Sequence, residues 1–207
     1  MQKLLDGIVA FKQQDFEEHK ELFESMSDNQ KPHTLFIGCS DSRVIPHLIT
    51  NTLPGELFVV RNIANLVPMY RKVNEYLSTT AAIEYAVKAL EVESIVVCGH
   101  SNCGGCAALY SKDEHKEDLP YTTKWLELAE KVSVEVDKQI PDKNDPAREW
   151  LTEQINIVEQ MKHLLTYPFI QEKYAAKRLT IHGWHYIIET GEVFNYNVDK
   201  GEFELIN

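Results

Sequence analysis

Thr34-Leu35-Phe36-Ile37-Gly38-Cys39-Ser40-Asp41-Ser42-Arg43 and Ile95-Val96-Val97-Cys98-Gly99-His100-Ser101-Asn102-Cys103-Gly104-Gly105 are laid out alike. Each is a short apolar run that ends in Gly and opens into polar residues. Runs of this length rich in β-branched residues read as buried strands. Cys39 and the pair His100 and Cys103 therefore stand where strands end. Leu57–Ile63 is a further strand, opened by the turn pair Pro54-Gly55, and Ser78–Leu90 a helix between strands. Strands alternating with helices imply right-handed crossovers and a mainly parallel α/β sheet, whose carboxyl strand ends are where sites form.

Two thiols and one imidazole are a three-ligand set that suits zinc and leaves a fourth position open, the mark of a catalytic ion. Cys is also a common small buried hydrophobe, so the residues alone leave that reading standing. Cys39 and Cys103 carry polar neighbours, Asp41, Arg43, His100 and Asn102, whereas Cys98 has none and reads as strand filling. Asp41 and Arg43 can pair in the turn after Cys39. Paired, Asp41 stays ionised and accepts a hydrogen bond from a metal-bound hydroxide; released, it could become a conditional fourth ligand. An N-capping Asp and a surface Arg are the plainer alternative. Gly104-Gly105 lets backbone approach a metal or its ligand, or is simply a turn. Cys103-Gly104-Gly105-Cys106 also spells the Cys-x-x-Cys of a redox dithiol, a reading that leaves Cys39 and His100 unexplained.

The chain has 207 residues, 43% hydrophobic and 26% charged, which fits one globular domain with a sizeable core. Its net charge, 21 − 32 = −11, argues against nucleic acid or an anionic membrane as partner. No apolar run approaches the ~20 residues of a membrane span. Four cysteines in this length are not a disulfide framework, and no signal-peptide layout opens the chain, so a cytoplasmic setting is expected.

Residues 1–30 read as a helical arm: Leu4, Ile8, Phe11, Phe16, Phe23 and Met26 recur near helical spacing with no sheet partner in sequence. Residues 31–207 form the α/β core. In the Ser78–Leu90 helix Ala82, Ala86, Ala89 and Leu90 share a face. Lys112–Asp118 with His115 is a charged loop. Pro120–Lys138 and Asp145–Leu165 are helices, the second capped by Asp145 with Pro146 as first residue. Its apolar stripe is Trp150, Leu151, Ile155, Val158, Met161 and Leu165. Pro168 opens a short helix. Leu179–Glu189 is a strand on which His182 and His185 face opposite sides and cannot chelate together. These and the other scattered histidines, His19, His33, His47 and His163, read as ordinary polar residues. Val193–Val198 closes a terminal hairpin as an antiparallel edge.

Cys-Ser-Asp-Ser-Arg followed about sixty residues later by His-Ser-Asn-Cys-Gly-Gly resembles the β-class carbonic anhydrases. The likeness continues through Pro54–Asn65, Ile83-Glu84-Tyr85-Ala86 and His182-Gly183-Trp184, from about Gln30 to Thr190. It implies zinc-dependent, reversible hydration of carbon dioxide to bicarbonate and a proton, by attack of a zinc-bound hydroxide. Cys39, His100 and Cys103 would hold Zn2+, and Asp41 and Arg43 would be the catalytic dyad. Gln30 matches the substrate-binding Gln of the plant-like members. Phe58 and Tyr85 match a Phe and a Tyr that line the neighbouring subunit's pocket, and Gly104 would contribute backbone there. The family pairs into dimers through its N-terminal helix, and dimers into tetramers.

Relatives that hold zinc as bicarbonate sensors or scaffolds, or that hydrolyse carbon disulfide, share these ligands. One branch carries a second bicarbonate site built from a Trp, an Arg and a Tyr. Arg61 and Tyr186 match, but Phe36 stands at the Trp position without an indole N–H. The resemblance thus implies Asp41 paired with Arg43 at neutral pH rather than drawn onto zinc.

Overall fold

The structure, a computed structural model, describes residues 1–72, 77–111, 114 and 117–207. The expected charged loop with His115 falls mainly outside them.

The N-terminal arm is three helices rather than one: α1 (Gln2–Gln13), α2 (Asp15–Glu18) and α3 (Lys20–Ser25), none with a buried residue. The breaks fall at Gln14 and His19, where φ leaves the helical range. The folding-back lets Phe11, Phe16 and Phe23 gather, with ring centroids 5.3 to 6.3 Å apart. An extended link then enters β1 (Thr34–Cys39), followed by α4 (Pro46–Thr50) and β2 (Leu57–Asn62). Ile63 belongs to a 3-10 turn rather than to the strand.

Next come α5 (Ser78–Glu84), widened into a π-turn at Tyr85–Ala89, and β3 (Ser94–His100). The helix buries Thr79, Ile83, Ala86 and Val87; of the expected row Ala86 is buried and Leu90 packs against the core, whereas Ala82 is half-buried and Ala89 exposed. Branched side chains here fill the gap to the sheet that alanines would leave open.

Beyond lie α6 (Gly104–Ala107), α7 (Pro120–Leu126), α8 (Glu130–Gln139), α9 (Ala147–Leu164) and α10 (Pro168–Ala175). The helix expected over Pro120–Lys138 is interrupted by a 3-10 turn at Glu127–Ala129. Asp145 caps α9 as expected, its Oδ1 accepting the Ala147 N–H at 2.8 Å. The chain ends in β4 (Thr180–Tyr186), β5 (Val193–Asn197) and β6 (Glu202–Leu205). That last strand lies outside the expected elements and makes the edge.

The six strands lie in the order β2-β1-β3-β4-β5-β6, parallel from β2 to β4 and antiparallel beyond. From β1 the chain steps outward to β2, then crosses back past β1 to β3. The carboxyl ends of β1 and β3 therefore open onto a switch point, with Cys39 at one and His100 at the other.

Helix α9 crosses β3 and β4 closely. A Cβ built on Gly99 would stand 2.8 Å from Ile157, and one on Gly183 2.8 Å from Ile157 and 2.5 Å from Met161. Glycine at these two places is what lets the helix reach the sheet. Ile157 is fully buried there, a burial worth about 1.5–3 kcal/mol.

The expected stripe of α9 is rotated. The face on the sheet carries Thr152, Glu153, Asn156, Ile157, Gln160, Met161 and Leu164, while Trp150 is 41% exposed. Leu151, Ile155 and Val158 instead line a groove of about 1200 Å³ beside α8. Its polar face turns inward because the backbone below it is irregular and needs partners. Val67 N–H donates to Gln160, and Asn156 donates to the Ala64 carbonyl.

Candidate metal centre

Cys39 closes β1, His100 closes β3, and Cys103 begins α6. All three are buried, and their ligand atoms lie within 4.8 Å of one another. The two sulfurs are 4.0 Å apart. Two thiolates on a tetrahedral zinc would stand about 3.8 Å apart, given Zn–S bonds of about 2.3 Å.

The imidazole supplies the fit test. His100 Nδ1 is 3.0 Å from the Ser101 carbonyl. A carbonyl only accepts, so Nδ1 carries the proton and Nε2 presents a bare lone pair. That Nε2 is buried with no hydrogen-bond partner among the described residues. A buried lone pair beside two sulfurs satisfies itself on a cation. The thiols say the same. The Cys103 sulfur first, then burial, pushes the Cys39 thiol up to about 12, and Cys103 is shifted up too, chiefly by Cys106. Burial disfavours a protonated His100 ring, but the Cys39 sulfur and the Ser101 carbonyl outweigh it and raise its pKa. The two thiols are thus poised against bare charge and need a dication to deprotonate them.

Asp41 and Arg43 are paired as expected. Arg43 donates from Nε to Asp41 Oδ1 at 2.9 Å and from Nη2 to Oδ2 at 2.8 Å, and the Arg43 N–H adds a third bond to Oδ1. Nη2 also donates to the Asn102 carbonyl at 3.1 Å, tying the dyad to the ligand loop. The guanidinium holds the Asp41 carboxyl far below the usual carboxylate range. Asp41 Oδ2 is 3.9 Å from His100 Nε2, beside the cluster.

Arg61, whose position resembles an anion anchor, makes two contacts within the fold. It donates to the carbonyls of Cys39, at 2.9 Å, and Asp41, at 2.6 Å, and so braces the first ligand loop. Phe36 is fully buried, its ring edge-on to Trp184 at 6.2 Å.

Phe58 and Tyr85 are brought together, ring centroids 6.0 Å apart, with Tyr85 49% exposed. Gln30 is exposed in the link before β1, and no hydrogen bond ties it to the cluster. The glycine pair divides its work. A Cβ on Gly104 meets nothing within 4 Å, whereas one on Gly105 falls 2.9 Å from the Ala64 Cβ and 3.1 Å from the Ala64 nitrogen. Gly105→Ala is therefore expected to cost about 1–3 kcal/mol in denaturant unfolding, and Gly104→Ala far less. Equal losses would show that the 3-10 turn yields.

His182 and His185 do lie on opposite faces of β4. His182 bonds locally, to Thr180, and His163 bonds across the fold to the Val67 carbonyl. His185 does not fit that plain reading: it is fully buried against Glu153, whose other oxygen accepts the Cys103 N–H. Sequence reasoning passed over Glu153. The available signal was Thr152, Glu153, Asn156 and Gln160 recurring at helical spacing beside the apolar stripe.

Residues 34–193 match the family described as carbonic anhydrase. A carbonic anhydrase of Helicobacter pylori is 45% identical over 97% of this chain and 92% of its own length. One from Synechocystis is 41% identical over 95% of this chain and 71% of its own. The solved structure of the β-carbonic anhydrase CcaA superposes with a TM-score of 0.95 at 39% identity, covering 100% of this chain and 99% of that one. A tetrameric β-carbonic anhydrase of Sordaria macrospora gives 0.82 at 33%, covering 94% and 95%. With the Cys39, His100 and Cys103 cluster at the sheet's switch point and these relatives over nearly its whole length, the chain belongs to the β-carbonic anhydrases and is an enzyme of that family.

Proposed function

We propose that the enzyme hydrates carbon dioxide reversibly to bicarbonate and a proton, with Zn2+ held by Cys39, His100 and Cys103. The observation that carries this is the orphaned, buried His100 Nε2 facing two buried sulfurs. When bound, zinc supplies the Lewis acidity that makes a water nucleophilic at neutral pH. The chain's residues do the rest. Asp41, ionised and locked by Arg43, offers an acceptor beside the Cys39, His100 and Cys103 cluster that would orient a water nucleophile toward the substrate carbon. With its pKa held low it keeps no proton of its own, so the proton leaves to solvent. Gln30, Phe58, Tyr85 and the Gly104 backbone bind and orient substrate, the two aromatic rings in the neighbouring subunit's pocket. A sensor or scaffold would have no use for a locked Asp41–Arg43 pair. Stopped-flow hydration with a pH indicator, beside a zinc assay, tests the reading: stoichiometric zinc with no rate above buffer would sink it.

We place the catalytic unit at residues 31–207 and the arm at 1–30. Four free cysteines fit the reducing cytoplasm. No helix among the described residues is long and apolar enough to cross a membrane. The substrate is a small molecule, not nucleic acid, and the macromolecular partner is a second copy. Leu4, Leu5, Ile8, Val9 and Phe11 are 45% to 68% exposed on a helix with no buried residue. Sedimentation is expected to give a dimer or tetramer, and Leu4→Asp with Ile8→Asp to shift it toward monomer. A fully active wild-type monomer contradicts this.

A further inference from the structure

Glu153 lies mid-way along α9, only 2% exposed. Its two carboxylate oxygens are divided between two partners. Oε1 accepts the Cys103 N–H at 3.0 Å, and Oε2 stands 3.0 Å from His185 Nε2. Both oxygens accept, so His185 donates from Nε2. The His185 ring is itself held: the Trp150 ring lies 4.5 Å from it and that of Phe203 6.2 Å, and β4 pairs His185 with Gly99, one residue before the ligand His100.

Cys103 needs an external hold. The helix it opens is four residues long, too short to fix its own first turn. Its N–H is inside the protein, where it must be matched. The Sγ position follows from that backbone, and Glu153 is the side chain that pins it.

We propose that Glu153, steadied by His185, is the positioning residue for the ligand Cys103 and sets how slowly the metal leaves. It touches neither substrate nor metal. The inference rests on the zinc reading above and adds to it a carboxylate outside the ligand set that governs retention.

The test is zinc release from the full-length protein into excess chromophoric chelator, run beside thermal unfolding of the metal-free protein. Glu153→Ala is expected to release zinc about 10–100-fold faster, the usual effect of removing a group that orients a ligand. Glu153→Gln is expected to recover most of the retention. Its carbonyl still accepts from Cys103, and its amide donates to His185 in the other tautomer. Gln160→Ala is the control. Gln160, on the same helix as Glu153, also accepts a buried N–H, that of Val67 in the segment after β2, but holds no ligand. It should lower the unfolding temperature of the metal-free protein without hastening zinc release. If Glu153→Ala does not fold, Glu153→Asp, which cannot span both partners, should release zinc faster than wild type. Release from Glu153→Ala at the wild-type rate, or equal acceleration in Gln160→Ala, overturns the proposal. A wild-type protein that takes up no zinc overturns the reading beneath it instead.

Discussion

Cys103→Ala is expected to lose bound metal and carbon dioxide hydration together, while Cys98→Ala keeps both. All four cysteines are free and buried, so burial does not separate them. Placement does. Cys103 Sγ, Cys39 Sγ and a His100 nitrogen share one small volume, and Cys98 is outside it. Cys98 packs instead with Phe36 and Val96 on the other side of the sheet, and burial first, then the nearby Cys39 sulfur, pushes its thiol up to about 12. Removing its sulfur leaves a small apolar void, worth about 1 kcal/mol. Removing Cys103 leaves two donors, too few to hold a tetrahedral ion against water. Metal content by mass spectrometry beside the hydration rate decides it. Zinc and normal turnover in Cys103→Ala would end the metal assignment. Cys106→Ala is expected to resemble Cys98→Ala, since its sulfur takes a hydrogen bond from Asn156 and lies outside the ligand group.

The second large effect is at Asp41. Asp41→Asn should keep zinc and lower kcat/KM about 10²-fold or more, as removal of a positioned acceptor does. The amide cannot accept on both sides from Arg43, so the turn loses its lock as well as its charge. Arg43→Ala removes the lock alone. Asp41 Oδ2, already 3.9 Å from His100 Nε2, is then free to compete for the open corner. That variant should release zinc no faster than wild type yet turn over slowly. The pH behaviour separates the two states. In wild type the Asp41 pKa is depressed, chiefly by Arg43. The pair is therefore complete above the ordinary carboxylate pKa of about 4 and is lost only as pH falls through a much lower value. Acid inactivation of wild type between pH 5 and 7 does not come from Asp41. In Arg43→Ala the carboxyl should titrate nearer its ordinary range. A wild-type rate profile governed by a group at pH 5 that disappears in Asp41→Asn would refute this assignment.

The parallel sheet and the Cys39, His100 and Cys103 cluster were legible in sequence because both are local signals. Strand runs such as Leu35–Gly38 and Ile95–Gly99 carry their own length and punctuation, and donors placed just past a strand end need no distant partner to be recognised. Asp41 and Arg43 are two residues apart, so their pairing is also a local matter. What the tertiary structure alone decided is the set of contacts made across the fold. The rotation of α9 followed from irregular backbone at Ala64 and Val67 demanding partners from Asn156 and Gln160, more than ninety residues away. Arg61 braces the Cys39 and Asp41 carbonyls because they come within its reach when β1 and β2 are paired. Glu153 and His185 read singly as a helix-surface acid and a strand histidine. They become the hold on Cys103 only where α9 crosses the sheet. A buried polar side chain is chosen by its partner, and in this chain those partners lie far off in sequence.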